Sequence, residues 1–200
     1  MVKVLAEGAE AVVYETTLNG IAALMKRRIK KDYRVPEMDT KIRSRRSRNE
    51  ARIIATVSKA GVNAPRLILY DGYDVYMSPV KGKKLSEMLK AGAVKGSTFE
   101  KIGTMLGQLH NVDVAHGDYT PANIIVGNDE PYVIDFGLSE ITSSVEEKAL
   151  DVLLMKRSVA KRSYLSFLKA YQASAKNAKE ILKRLELIER RGRYQTRTLT

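Results

Sequence analysis

Two short polar segments joined by a hydrophobic hairpin constrain this chain more than any other feature. In the first, His116-Gly117-Asp118-Tyr119-Thr120-Pro121-Ala122-Asn123, an aspartate precedes an asparagine by five residues; the second is Ile134-Asp135-Phe136-Gly137. The apolar run between them breaks at Gly127-Asn128-Asp129, a hairpin-like turn signal. Phosphoryl transfer explains the residue types in both. Asp118 is suited to accept a proton from an attacking hydroxyl or to orient a water. Asn123 and Asp135 offer oxygens to a magnesium ion bridging the phosphates of ATP.

In that order and at that separation, the segments form the catalytic-loop and metal-loop pairing of a protein-kinase-like phosphotransferase. The rest of the chain reads as the plan of such a fold. Residues 2–7, 11–17 and 20–27 are strand-like, with a break at Gly8 and a hairpin signal at Asn19-Gly20. Pro36 opens a long helix that carries Ile42, Ile53, Ile54 and Val57 and stops at Gly61. Strands at 66–71 and 73–79 follow, then helices over roughly 84–91, 98–112, 145–171 and 174–191. A β-rich first part and a helical second part predict an α+β, two-lobed, minimal protein-kinase-like fold rather than an alternating α/β one. The expected division is an N-terminal lobe at 1–80, a C-terminal lobe at 81–189, and a basic, flexible tail at 190–200.

Composition bounds the setting and the partners. No apolar run approaches the roughly 18–20 residues that span a bilayer, and the start lacks a long apolar signal segment. With no cysteine there is no disulfide framework and no thiolate zinc site. These features predict a cytoplasmic protein with no membrane partner. The net charge of +12 and the pI near 9.8 point to a polyanionic partner, nucleic acid first and an acidic protein second.

The first lobe supplies further candidates for the nucleotide. Lys26 ends the third strand, where a lysine reaches the ATP phosphates and pairs with a helix carboxylate; otherwise it is one more surface cation. Glu50 is the first choice of partner and Glu37 the second. Gly8-Ala9-Glu10-Ala11 falls where a phosphate-covering turn belongs, although Gly8 is its single glycine. Glu10 would repel phosphates unless a cation intervenes, so this stretch reads equally as an ordinary turn. Met77-Ser78-Pro79-Val80 is the expected lobe connector. Adenine there would use the Ser78 carbonyl and the Val80 amide, since Pro79 has no N–H. His116 and His110 read as structural, and Asp151 as an anchor for the catalytic loop or a solvated helix residue.

Taken together, Gly8-Ala9-Glu10-Ala11, Lys26-Arg27 with Lys31-Asp32-Tyr33-Arg34, Arg48-Asn49-Glu50-Ala51, His116-Gly117-Asp118 and Arg191-Gly192-Arg193 resemble the small atypical kinase/ATPase family of the KEOPS complex. The likeness covers nearly the whole chain. It implies ATP and magnesium as cofactors and a kinase fold without the usual peptide platform. It also implies partnership with the threonylcarbamoyl transferase subunit and other KEOPS subunits, in support of threonylcarbamoyladenosine formation on tRNA. The residues agree about the platform. Only Leu138 to Ser144 separate Gly137 from the next helix, no Ala-Pro-Glu follows, and Thr120 stands where many protein kinases carry a lysine. ATP hydrolysis or autophosphorylation, with Ser143 and Ser144 as acceptors, is easier to reconcile with this than phosphorylation of external peptides.

Basic residues gather at 26–34, at 41–48, and near the end, where Arg191, Arg193 and Arg197 lead the candidates for tRNA phosphates. Two rival readings remain. A small-molecule phosphotransferase shares His-Gly-Asp but normally has a larger helical lobe. A non-catalytic RNA-binding pseudokinase would not need Lys26, Asp118, Asn123 and Asp135 intact.

Overall fold

The computed structural model describes residues 3–195, with side chains described through Arg191. Short runs rich in Val, Tyr and Leu give three antiparallel strands: β1 (Lys3–Glu7), β2 (Ala11–Leu18) and β3 (Ile21–Arg28). Asn19 and Gly20 turn between β2 and β3 at φ of 50° and 81°, the left-handed pair that an Asn-Gly hairpin demands. The register runs from Ala11 opposite Arg28 to Leu18 opposite Ile21. Helix α1 (Pro36–Lys59) starts with proline in its first turn and sets Glu37 and Asp39 at its positive end. It buries Ala51, Ile53, Ile54 and Val57 on one face. Strands β4 (Leu67–Tyr70) and β5 (Asp74–Met77) complete a five-stranded sheet of order β1-β2-β3-β5-β4, placing β3 at its centre.

Beyond the connector the chain becomes helical. β6 (Lys83–Lys84) leads into α2 (Leu85–Lys90) and α3 (Gly96–Asn111), and β7 (Val114–Ala115) enters the catalytic segment. A 3₁₀ turn (Pro121–Asn123) feeds the hairpin of β8 (Ile124–Gly127) and β9 (Glu130–Val133). After β10 (Glu140–Ile141) come α4 (Val145–Ser158), α5 (Lys161–Ser174) and α6 (Ala178–Gln195). The core is built on Ile102, Leu106 and Leu109 of α3, Val152 and Met155 of α4, Phe167 and Tyr171 of α5, and Ile181 of α6. No helix among the described residues is long and apolar enough to cross a membrane.

The two-lobed α+β plan is the expected one, with one correction. The single helix predicted over 145–171 is two helices, α4 and α5, separated by an extended Val159. Ser158 closes α4 by turning its hydroxyl back onto the Leu154 carbonyl at 2.7 Å, a local competitor of helix propagation that no Gly or Pro announces. Of the segment expected as a basic tail at 190–200, residues up to Gln195 belong to α6, and 196–200 lie outside the described residues.

Candidate active site

The hairpin positions the two polar segments. Ile124 pairs with Val133 where β8 meets β9, and the ladder continues as the Ile134 amide donates to the Asn123 carbonyl at 2.9 Å. Asn123 and Asp135 therefore sit side by side at the open end of the hairpin. Asn123 donates its side-chain N–H to the Asp118 carboxylate at 2.8 Å and to the Asp118 carbonyl at 3.0 Å. With the amide nitrogen committed, its carbonyl oxygen is the atom left for a cation. Asp135 has a φ of 62°, a costly value for a non-glycine residue, and it keeps its side chain about half exposed.

The catalytic loop is held from below by a buried carboxylate and the buried side chains around it. Asp151 on α4 accepts the backbone N–H of His116 at 2.6 Å and of Gly117 at 2.8 Å. His110 Nε2 lies 3.2 Å from the same carboxylate, while Tyr171 Oη is 2.8 Å from His110 Nδ1. His116 Nε2 faces the Ile134 carbonyl at 3.1 Å and must carry the proton; Nδ1 then accepts from the Asp118 amide. Burial pushes both histidines below their ordinary value, against the opposing pull of Asp151. Both are structural, and Asp151 is the loop anchor. Gly117 turns at φ 79°, and a Cβ there would meet the Leu138 carbonyl at 2.5 Å.

From the other lobe, β3 delivers Lys26. Its ammonium binds Glu50 Oε1 at 2.6 Å and Asp135 Oδ1 at 2.7 Å, so it bridges the first lobe to the Asp135-Phe136-Gly137 segment. Glu50, on α1, is the partner; Glu37 lies exposed at the helix start. Burial works to lower the Lys26 pKa, but Glu50 and Asp135 outweigh it and the ammonium is held above its usual value. Burial likewise works to raise Asp135, but the Lys26 charge and hydrogen bond hold it below the carboxylate range. Gly137 keeps this space open: a Cβ there would lie 3.0 Å from Asp135 Oδ1 and 3.3 Å from Lys26 Nζ.

Other expected residues are placed less centrally. The Gly8 amide donates to the Ala11 carbonyl at 3.0 Å, closing the turn between β1 and β2. Glu10 is paired with Arg46 of α1 at 2.8 Å, which supplies the cation its position calls for. The Ser78 N–H donates to the Arg66 carbonyl and its hydroxyl accepts the Arg66 amide, leaving the Ser78 carbonyl available; Val80 lies two residues on. Ser144 caps α4 through its hydroxyl. Arg191 is exposed on α6; the Arg193 side chain and all of Arg197 lie outside the described residues.

Two features of the site are not evident in the sequence. Asn49 on α1 donates to the Ser139 carbonyl at 2.9 Å, and the Ser139 hydroxyl donates to the His116 carbonyl at 2.8 Å, tying the helix to the catalytic loop. Arg28 joins Glu50 at 2.7 Å and is buried. The strand alternation that puts residues 26 and 28 on one face was its available signal. Much of the basic cluster at 26–34 is thereby consumed internally, since Arg27 pairs with Asp74 and Arg34 with Asp39.

The donor set fits a magnesium nucleotide. Among the described residues no group of three or more His, Asp or Glu gathers as a cage. Magnesium on a nucleotide does not need one, because one or two protein oxygens join phosphates and waters around it.

Comparison with known proteins sharpens the assignment. A RIO-domain family model matches residues 9–161. The KEOPS complex subunit Bud32 of Pyrococcus abyssi is 32% identical over 215 residues, covering 98% of each chain. A probable bifunctional tRNA threonylcarbamoyladenosine biosynthesis protein of Methanothermobacter thermautotrophicus is 35% identical over 199 residues, covering 96% of this chain but 36% of that protein. A Rio2 kinase–ADP/Mg2+–phosphoaspartate complex from Chaetomium thermophilum superimposes with a TM-score of 0.60 at 16% identity, over 95% of this chain and 70% of that one. That likeness is one of fold. Fold and site together define an atypical kinase of the RIO type. Within that class the chain belongs to the Bud32 family.

Proposed function

We propose that the chain binds ATP with magnesium in the cleft between its lobes and acts as the kinase/ATPase of a KEOPS-type assembly. The observation that carries this reading is Lys26, held between Glu50 and Asp135 at 2.6 and 2.7 Å. Lys26 holds the phosphates. Asn123 and Asp135 hold the cation, which when bound neutralises charge on the phosphates. Asp118, oriented by Asn123, accepts the proton of an attacking hydroxyl or aligns a water. The turn at Gly8 and Glu10 covers the phosphates, with Arg46 offsetting the charge of Glu10. The Ser78 carbonyl and the Val80 amide receive the adenine.

Family membership supports the choice of partners. We assign the tRNA threonylcarbamoyl transferase subunit and other KEOPS subunits as partners, a role in threonylcarbamoyladenosine formation on tRNA, and a cytoplasmic location. Relatives of this chain that form about a third of longer proteins named for that biosynthesis support the pairing. The net charge of +12, together with Arg191, Arg193 and Arg197, supports tRNA contact.

The test is ATP turnover by the full chain and by Asp118→Asn, each with and without the purified transferase partner and tRNA. The variant should bind ATP while turnover falls by about 10²–10⁴-fold. Phosphate release at the wild-type rate would leave Asp118 a structural residue. On the RNA side, a chain with Arg191, Arg193 and Arg197 each changed to Ala should still bind ATP but show a shallower salt dependence of tRNA affinity. An unchanged slope would remove the tail from the interface.

A further inference from the structure

The first lobe reaches the candidate site by two separate routes. One is ionic: Lys26, held by Glu50 of α1, meets Asp135 Oδ1 at 2.7 Å. The other is neutral and starts one residue earlier on the same helix. Asn49 Nδ2 donates to the Ser139 carbonyl at 2.9 Å, and the Ser139 hydroxyl donates to the His116 carbonyl at 2.8 Å. His116 in turn accepts the Asp118 amide on its Nδ1 at 3.3 Å. The first route ends on the proposed cation ligand, the second on the proposed proton acceptor.

Ser139 is built as a joint. It is 2% exposed, and all of its polar groups are engaged: the N–H donates to the Phe136 carbonyl at 3.1 Å, the carbonyl accepts Asn49, and the hydroxyl donates to His116. On its far side the catalytic loop hangs from Asp151 through the His116 and Gly117 amides, an anchor that lies wholly in the second lobe. Among the described residues, no other α1 side chain hydrogen-bonds to the second lobe. Asn49 itself is exposed, so it adds little to the core that α1 buries.

We propose that Asn49 is a positioning residue for the chemical step. Through Ser139 and His116 it sets where Asp118 stands relative to Lys26, whose partner Glu50 is the next residue of α1. The Lys26–Asp135 contact is a separate route, so loss of Asn49 leaves nucleotide and cation binding in place and loosens the aim of the proton acceptor. Misplacing a reacting group costs rate even where binding survives. The inference rests on the assignment of Asp118 to the chemical step.

The experiment measures ATP turnover and MgATP affinity of the full chain, with the purified transferase partner and tRNA present. Asn49→Ala should lower kcat by about three- to tenfold, the equivalent of one hydrogen bond, with MgATP affinity unchanged. Asn49→Gln, which keeps the amide donor, should recover part of the loss. Asn49→Asp, which turns a carboxylate toward the Ser139 carbonyl, should lose at least as much as Asn49→Ala. In a Ser139→Ala background, Asn49→Ala should add little, because the route is already cut. An unchanged kcat in Asn49→Ala, a loss confined to MgATP affinity, or a full additional loss beside Ser139→Ala overturns the proposal. Failure of the underlying assignment reads differently: wild-type turnover in Asp118→Asn would remove Asp118 itself from the chemical step.

Discussion

Lys26 and Asp118 come to the candidate site from regions built on different principles, Lys26 through Asp135 and Asp118 through Asn123. Around Lys26 the sheet is thin. Every residue of β1 is exposed, and β3 keeps its shape between neighbours while α1 covers part of one face. What fixes the geometry there is charge, through the Lys26–Glu50–Arg28 and Asp135 contacts and the Arg46–Glu10 and Arg27–Asp74 pairs. Below Asp118, α3 alone buries nine residues, and the loop hangs from a fully buried Asp151 backed by neutral histidines and a tyrosine. Ion pairs between long side chains leave room for adjustment as a ligand arrives. A satisfied buried hydrogen-bond network has one arrangement and holds it. The first lobe is thus the adjustable half of the site and the second the fixed half.

The contrast breaks hardest at Asp151. Asp151→Ala strips two loop amides and His110 of their acceptor, and urea denaturation should show a loss of about 3–5 kcal/mol. A loss under 1 kcal/mol would mean that the loop is held by packing alone. Next in size is acid sensitivity. Because His110 and His116 are held below their ordinary value, the unfolded chain binds protons that the folded chain does not. Stability is therefore full above about pH 6.5 and falls as pH drops below it, by up to about 1.4 kcal/mol per pH unit for each histidine. Denaturation curves between pH 7.5 and 5.5 check this, and a flat profile would show that the histidines are not buried neutral. Smallest is the Glu10–Arg46 pair. Both partners are about half exposed, so Arg46→Ala should change stability by less than about 1 kcal/mol, and less still in high salt. A larger, salt-insensitive loss would make the first lobe as rigid as the second.

The sequence showed the hairpins, the two lobes and the paired motifs because each has a local signal. Asn19-Gly20 dictates a turn, Pro36 a helix start, and residues 118, 123 and 135 a spacing that one hairpin brings together. Glu50 was readable as the lysine's partner from its depth in α1. What was not readable depended on tertiary contact. The break between α4 and α5 rests on a Ser158 back-bond, Arg28 shares a strand face with Lys26 but meets Glu50 only through the fold, and Asn49 meets Ser139 only across the lobes. Charge counts overstated the surface, since acids distant in sequence pair with Arg27, Arg28 and Arg46, and the nearby Asp39 pairs with Arg34 and Arg43.

The most direct measurement is calorimetric titration of MgATP into the wild-type chain and into Asp135→Ala. Asp135 is about half exposed and contributes its oxygen at the mouth of the cleft, so the variant should unfold at nearly the wild-type denaturant midpoint. It should also lose magnesium-dependent nucleotide binding. Unchanged MgATP affinity in a folded Asp135→Ala protein would contradict the cleft assignment.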